Sequence, residues 1–180
     1  MKLSNYKKIS FLISGGGSNL LKILKRNFIY KDFEVVTIIS NNEIPTKIKY
    51  HVNKLYKNIL LLEYQRKLQK KNFFDTEIIF SLGYMKVIKN SIIENFDVIN
   101  LHPSILPTYK GLMTQKRMLI NDEKNYGFTI HKVSNELDRG EVISNKIRKI
   151  KTKNETELLY KHKALEHKFV YKQFLDYLLC

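Results

Sequence analysis

Apolar residues gather along this chain in short runs, and basic, polar stretches with helical spacing separate them. Residues 9–14 form the first run, compact and apolar enough for a buried strand. The loop Gly15-Gly16-Gly17-Ser18-Asn19 follows, after which Leu20, Leu21, Ile23 and Leu24 fall at helical spacing over residues 19–27. Residues 33–40 read as a second strand, 44–52 as a short helix and 59–62 as a short strand. The pattern then predicts a basic helix over 64–73, a buried strand over 77–82, a helix over 87–95 and a strand over 97–102. Residues 113–120 can form a helix, while 128–133 and 142–149 read as extended strands joined by 134–140. The closing stretch, 155–179, predicts a long amphipathic helix with Leu158, Leu159, Leu165, Phe169, Val170, Phe174 and Leu178 on its apolar side. Strands and helices alternating in this way build right-handed β-α-β units. The expected fold class is α/β: one domain over 1–180, with a mostly parallel twisted sheet, helices on both faces and a long C-terminal helix.

Composition changes this picture little. At 180 residues the chain can bury a substantial core. Its single cysteine, Cys180, rules out a disulfide framework within the chain and points to a reducing, cytoplasmic compartment. Lys2, Lys7 and Lys8 precede an apolar run, 9–13, that is too short for a signal peptide. No stretch reaches the length of a membrane span, so no membrane partner is expected. The net charge of +15 ordinarily raises nucleic-acid binding. Lysine, however, supplies 27 of the 32 basic residues, isoleucine occurs 21 times, asparagine 16 times and alanine once. Lys, Ile and Asn share A/T-rich codons, so the charge reads as base drift producing a solvated basic surface. No nucleic-acid partner is expected, although anionic small substrates would benefit from the field. In such a composition the seven glycines are informative, because those that remain mark positions where backbone geometry demands them.

Two stretches carry candidate chemistry. Asn100 and His102 stand two residues apart on one expected strand and so point to the same face. An amide that donates hydrogen bonds, paired with an imidazole that can carry a proton, suits acyl-transfer chemistry. Pro103 and Pro107 then stiffen the following loop and Gly111 releases it; a polar strand end with a turn is the plain alternative. The glycine loop sits between a strand and a helix, which places backbone N–H groups where a phosphate can sit. A simple tight turn is the other reading. It is not a dinucleotide fingerprint, since the third glycine would fall at Leu20 and the next strand ends in Asn41-Asn42 without an acidic residue. Nor does it carry the Gly-Lys-Ser/Thr of a P-loop. Residues 15–19, 83–85 and 100–103 all fall at expected carboxyl ends of strands, where parallel sheets collect ligands. The five histidines show no metal-ligand spacing.

Read together, Ser14-Gly-Gly-Gly-Ser-Asn-Leu20, Leu82-Gly-Tyr-Met85, Asn100-Leu-His-Pro-Ser-Ile-Leu-Pro107, Tyr109-Lys-Gly-Leu112, and His131 followed by Glu136-Leu-Asp-Arg-Gly140 resemble the folate-dependent formyltransferases. The match runs in order from about Lys8 to Leu179. The glycine loop and Glu166-His167 make it most similar to the purine-pathway branch of that family. The resemblance implies a Rossmann-like catalytic domain and transfer of the formyl group of 10-formyltetrahydrofolate to the amine of glycinamide ribonucleotide, through a tetrahedral intermediate and without a metal. It implies that Asn100 holds the developing oxyanion, that His102 transfers the proton, and that Asp138 orients the imidazole and favours its charged form. Gly17, Ser18 and Asn19 would hold the ribonucleotide phosphate, and Glu166 would contact the same substrate. Met85, Lys86, Val87 and Ile88 would line the folate pocket with Asn100, Ser134 and Asp138. A monomer or homodimer is expected.

Several positions depart from the family's pattern. Lys86 replaces the usual arginine, Met113 stands where histidine is common, and Glu141 stands where proline often follows the turn. The chain is shortened between Val52 and Glu77, where Arg66 is the candidate for the family's basic folate contact. Lys163-Ala164-Leu165 is unlike the polar segment expected before the glutamate. Plainer roles also exist residue by residue. Met85, Val87 and Ile88 could be core, Glu166 an exposed helix carboxylate, His131 a structural strand residue and Asp138 a turn residue before Gly140. At the level of function, the alternatives are formyl transfer to a sugar nucleotide or methionyl-tRNA, hydrolysis of formyl folate, and a basic nucleic-acid-binding protein without catalysis. The tRNA enzyme normally carries a further C-terminal domain and the hydrolase an N-terminal one, neither expected here.

Overall fold

The computed structural model describes residues 6–180, so Lys2 lies outside the described residues. Among them the strands take the order β3-β2-β1-β4-β5-β6-β7 in one mostly parallel sheet, the α/β class expected. The chain divides into two compact units, residues up to 99 and residues 100–180.

In the first unit β1 (Lys8–Ile13) pairs in parallel with both β2 (Glu34–Ser40) and β4 (Ile78–Ser81), and β3 (Leu60–Leu62) pairs with β2. A strand flanked on both sides in a parallel sheet needs an unbroken apolar run, and Ile9, Phe11, Leu12 and Ile13 are fully buried. The Phe11 ring lies 6.2 Å from both Phe33 and Phe80. Helix α1 (Ser18–Tyr30) turns Leu20, Ile23 and Leu24 inward and packs on α2 (Thr46–Leu55).

Two predicted helices are corrected here. Residues 64–73 do not form one: Tyr64 has a positive φ of 56°, and the N–H groups of Tyr64 and Gln65 donate to the Asn42 and Ser40 carbonyls. A residue in the left-handed region cannot sit in a right-handed helix, and the segment keeps only a 3-10 turn, Lys70–Phe73, capped by reciprocal bonds between Gln69 and Asn72. The helix predicted over 87–95 shrinks to α3 (Asn90–Ile93). Residues before it form a loop in which Val87 is 89% exposed and so gains nothing from coiling against a core.

Strand β5 (Asp97–His102) has the predicted bounds, and its last three residues belong to the second unit. There β6 (Asn125–Lys132) and β7 (Val142–Lys149) pair antiparallel. Helix α5 (Glu155–Leu178) packs on both strands and on α4 (Thr114–Ile120). Asn154 caps α5 by accepting from the Glu157 N–H at 2.9 Å, and Glu155 and Glu157 place negative charge in its first turn. Its buried stripe holds Leu158, Leu165, Val170 and Phe174, whereas Leu159 of the predicted apolar side is exposed. Among the described residues no helix is long and apolar enough to cross a membrane.

Candidate active site

The end of β5 presents Asn100 and His102 on one face, as strand geometry requires. His102 is 4% exposed, and each of its ring nitrogens faces an oxygen. Nε2 lies 2.9 Å from the Tyr109 carbonyl and Nδ1 lies 3.4 Å from Asp138 Oδ2. The carboxylate is as sheltered as the ring, with a side chain 8% exposed. An electrostatic contact excluded from water in this way is screened far less than a surface one.

Two loops converge on that carboxylate. The Gly111 N–H donates to Asp138 Oδ2 at 2.8 Å, and Gly111 takes a φ of +77° that few other residues adopt. Ser104 Oγ reaches the Thr108 carbonyl at 2.8 Å, while Thr129 Oγ1 bridges the Leu106 N–H and the Ser104 carbonyl. The proline loop after His102 is therefore held from within and from β6. Asp138 has a positive φ of 49°, a conformation that Asp tolerates better than most side chains.

Asn100 is oriented by a residue that sequence reasoning assigned to structure alone. The His131 Nδ1–H donates to the Lys132 carbonyl at 2.8 Å, which leaves Nε2 as an acceptor, and Asn100 Nδ2 donates to it at 3.2 Å. His131 is 2% exposed; burial pushes its pKa below the ordinary 6.5, the Lys132 carbonyl and Asp138 opposing and His102 assisting. A neutral ring is the form that can accept the Asn100 bond. The second amide hydrogen of Asn100 has no partner among the described residues. Every residue of β6 from Tyr126 to His131 is buried, so no polar-apolar alternation marked His131 as special.

The second unit thus brings together Asn100, His102, His131 and Asp138. Ser134 is half-buried in the loop before Asp138, its Oγ donating to the Glu136 carbonyl at 3.1 Å. Glu166, which could have been an exposed helix carboxylate, is 2% exposed and takes a 2.7 Å bond from Lys163.

The first unit holds the glycine loop and residues 85–88. Gly17 caps α1 with a φ of +60°, and a Cβ there would run into the Ile48 side chain. Around Gly15 and Gly16 the space is open, with no neighbour within 4 Å of where a Cβ would stand. Ser18 is exposed and Asn19 buried at the start of α1. Ser14 ties the strand ends together: its Oγ accepts from the Met85 N–H at 2.6 Å and donates to Asn41 Oδ1, while Asn42 Nδ2 donates to the Ser14 carbonyl at 2.6 Å. Met85, Lys86 and Val87 are exposed and Ile88 half-buried on a non-helical loop, so the core reading fails for Met85 and Val87. Arg66 is exposed. Among the described residues no group of three or more His, Cys, Asp or Glu could hold a metal ion.

A family model described as formyl transferase matches residues 7–174, and the chain belongs to that family. Among individual proteins, the bifunctional polymyxin resistance protein ArnA of Wigglesworthia glossinidia brevipalpis is 29% identical over 143 residues, which cover 78% of this chain and 21% of the relative. The phosphoribosylglycinamide formyltransferase of Haemophilus influenzae is 29% identical over 155 residues, covering 76% of this chain and 70% of the relative. The chain spans about a fifth of the length of the multifunctional relatives it matches first. The crystal structure of phosphoribosylglycinamide formyltransferase from Campylobacter jejuni superposes with a TM-score of 0.81 at 26% identity, covering 96% of this chain and 97% of that one.

Proposed function

We propose that this protein transfers the formyl group of 10-formyltetrahydrofolate to the amine of glycinamide ribonucleotide, in purine synthesis and in the cytoplasm. In this reading, residues 1–180 supply one formyltransferase catalytic domain that needs no metal. The observation that carries it is the pairing of an Asn100 amide, oriented by His131 with one N–H left over, with a His102 imidazole buried against Asp138. The substrate amine attacks the formyl carbon, and the carbonyl oxygen gathers negative charge. Asn100 donates its remaining N–H to that oxygen, where a pre-aimed donor outperforms water. His102, its Nε2 released from the Tyr109 carbonyl, carries the proton from the attacking nitrogen to N10 of the folate, and the carbon–N10 bond breaks to release tetrahydrofolate. Asp138 holds the imidazole in place through the transfer. Gly17, Ser18 and Asn19 serve the ribonucleotide phosphate at the start of α1, and Glu166 contacts the same substrate. Met85, Lys86, Val87, Ile88 and Ser134 serve the folate, with Asn100 and Asp138; the exposure of 85–87 supports a contact role.

A different acceptor amine is the second reading, favoured by the likeness to ArnA. Formyl transfer measured with glycinamide ribonucleotide, with an amino-sugar nucleotide and with no acceptor tests both. Formylated product from the ribonucleotide alone is expected. Product from the amino-sugar nucleotide alone supports the second reading, and tetrahydrofolate release without any acceptor overturns transferase activity.

A further inference from the structure

Two ionisable side chains on α5 are withdrawn from water, and no step above uses the first of them. His162 is 1% exposed and Glu166 2%. They stand one helical turn apart, with His162 Nε2 3.9 Å from Glu166 Oε1. Lys163 donates to Glu166 Oε2 at 2.7 Å, so one carboxylate oxygen meets an ammonium and the other faces an imidazole. On the far side of the ring, His162 Nδ1 lies 2.6 Å from Gln115 Nε2, and Thr114 Oγ1 donates to Gln115 Oε1 at 3.0 Å. The Thr114 bond fixes the amide. Its carbonyl accepts from Thr114, and its NH2 group donates to His162 Nδ1.

With the Nδ1 lone pair occupied, a neutral ring must carry its proton on Nε2. Among the described residues no hydrogen bond of ordinary geometry closes on that buried Nε2, although the Gly127 backbone draws on the ring as a hydrogen-bond acceptor. The ring meets Tyr126 edge-on at 5.5 Å. Burial pushes its pKa below the ordinary 6.5; the Glu166 carboxylate and the Gly127 backbone oppose this, while the charges of Lys163 and His102 assist it. The influence of His102 puts the cluster within electrostatic reach of the catalytic imidazole.

We propose that His162 is a positioning residue: Thr114 and Gln115 hold it as the neutral Nε2–H tautomer, and its N–H steers the Glu166 carboxylate toward donor groups of the acceptor substrate. The proposal rests on the reading of Glu166 as an acceptor contact. The 3.9 Å separation leaves the bond open to close when substrate loads the carboxylate, as active-site bonds commonly tighten on binding. Lys163, 46% exposed on its side chain, neutralises the other oxygen from the solvent side.

Side-chain ¹⁵N spectra of the full chain test the wiring without reference to activity. Expected are an unprotonated Nδ1 and a protonated Nε2 for His162 at pH 7.5, with that preference lost in Gln115→Leu. The opposite tautomer overturns the proposal. In steady-state assays His162→Leu is expected to raise the ribonucleotide KM about tenfold, the loss of roughly one hydrogen bond to a charged group. The folate KM and kcat should hold, and His162→Gln, whose amide can still donate, should recover most of the loss. Equal losses in Gln and Leu variants, or a fall in kcat instead, overturn the positioning role. Glu166→Gln separates the two layers. If it leaves the ribonucleotide KM unchanged, the reading of Glu166 falls and this proposal with it. If it raises that KM while His162→Leu does not, the proposal alone falls.

Discussion

Asp138 has two duties that a single oxygen combines. Its Oδ2 faces the His102 ring at 3.4 Å and also accepts the Gly111 N–H, so the carboxylate beside the imidazole also staples the proline loop. Asp138→Asn preserves an oxygen for Gly111 while removing the charge, and it is the informative substitution. Positioned proton transfer contributes roughly 10²–10⁴-fold, so kcat is expected to fall within that range with the fold intact by circular dichroism. In a double-mutant cycle, Asp138→Asn with His102→Ala should be scarcely slower than His102→Ala alone, since groups working as one unit are non-additive. Multiplying losses would show that the two act independently. The Asn100–His102 pair was readable from a spacing of two on a strand. The Asp138 contact, 36 positions away, was reachable only through resemblance, and the roles of His131 and His162 depend on partners that local sequence does not reveal.

Among the elements, those with uninterrupted apolar runs or clear helical spacing were legible: β1, α1, β5 and β7 lie within a few residues of their predicted bounds. Residues 64–73 misled because their spacing suits a helix while Tyr64 sits in the left-handed region, next to N–H bonds to the Ser40 and Asn42 carbonyls that only folding creates. On α5 the apolar stripe was read correctly at Leu158, Leu165, Val170 and Phe174, yet the helix also buries His162 and Glu166, polar residues whose cost is offset by bonds from Gln115 and Lys163. The glycine loop divides the same way. Gly17 is favoured by its left-handed φ of +60°, whereas Gly16 has open space around it. Gly16→Val is therefore expected to raise the ribonucleotide KM about tenfold, leave the folate KM unchanged and leave the melting temperature in place. A rise in both KM values would make the loop merely a turn.

For the molecule as a whole, two buried histidines are expected to tie stability to pH near neutrality. His131 and His162 both titrate below 6.5 when folded, because burial resists their charge. Between that ordinary value and their folded values the unfolded chain binds protons that the folded chain refuses. Stability should accordingly fall as pH drops through about 6.5 and level off once the folded pKa values are passed. The slope is at most about 1.4 kcal/mol per pH unit for each histidine. Urea unfolding at several pH values from 8 to 5 reads this directly, and His162→Gln should shallow the slope. The carboxylates held down by lysines, such as Glu77 by Lys7 and Glu63 by Lys49, act in the same direction but only in the acid range below about pH 4.5. A flat profile from 8 to 5 would mean that both rings charge freely in the folded state.

The last strand of the sheet carries a consequence for how these molecules meet one another. β7 ends the strand order, so one side of its backbone has no strand partner among the described residues. Such a margin is a template on which an identical segment can add. Along it stand Lys146, Arg148 and Lys149, with Lys146 and Arg148 at 4.4 and 5.6 Å from the Phe169 ring. An arriving copy brings the same cations and is turned away by them. That guard reaches only as far as the ionic atmosphere permits, about 10 Å at 0.1 M salt and about 3 Å at 1 M. Self-association through this edge, where Gln173 already holds the Asn145 carbonyl, is thus expected to be rarer in dilute buffer than in concentrated salt.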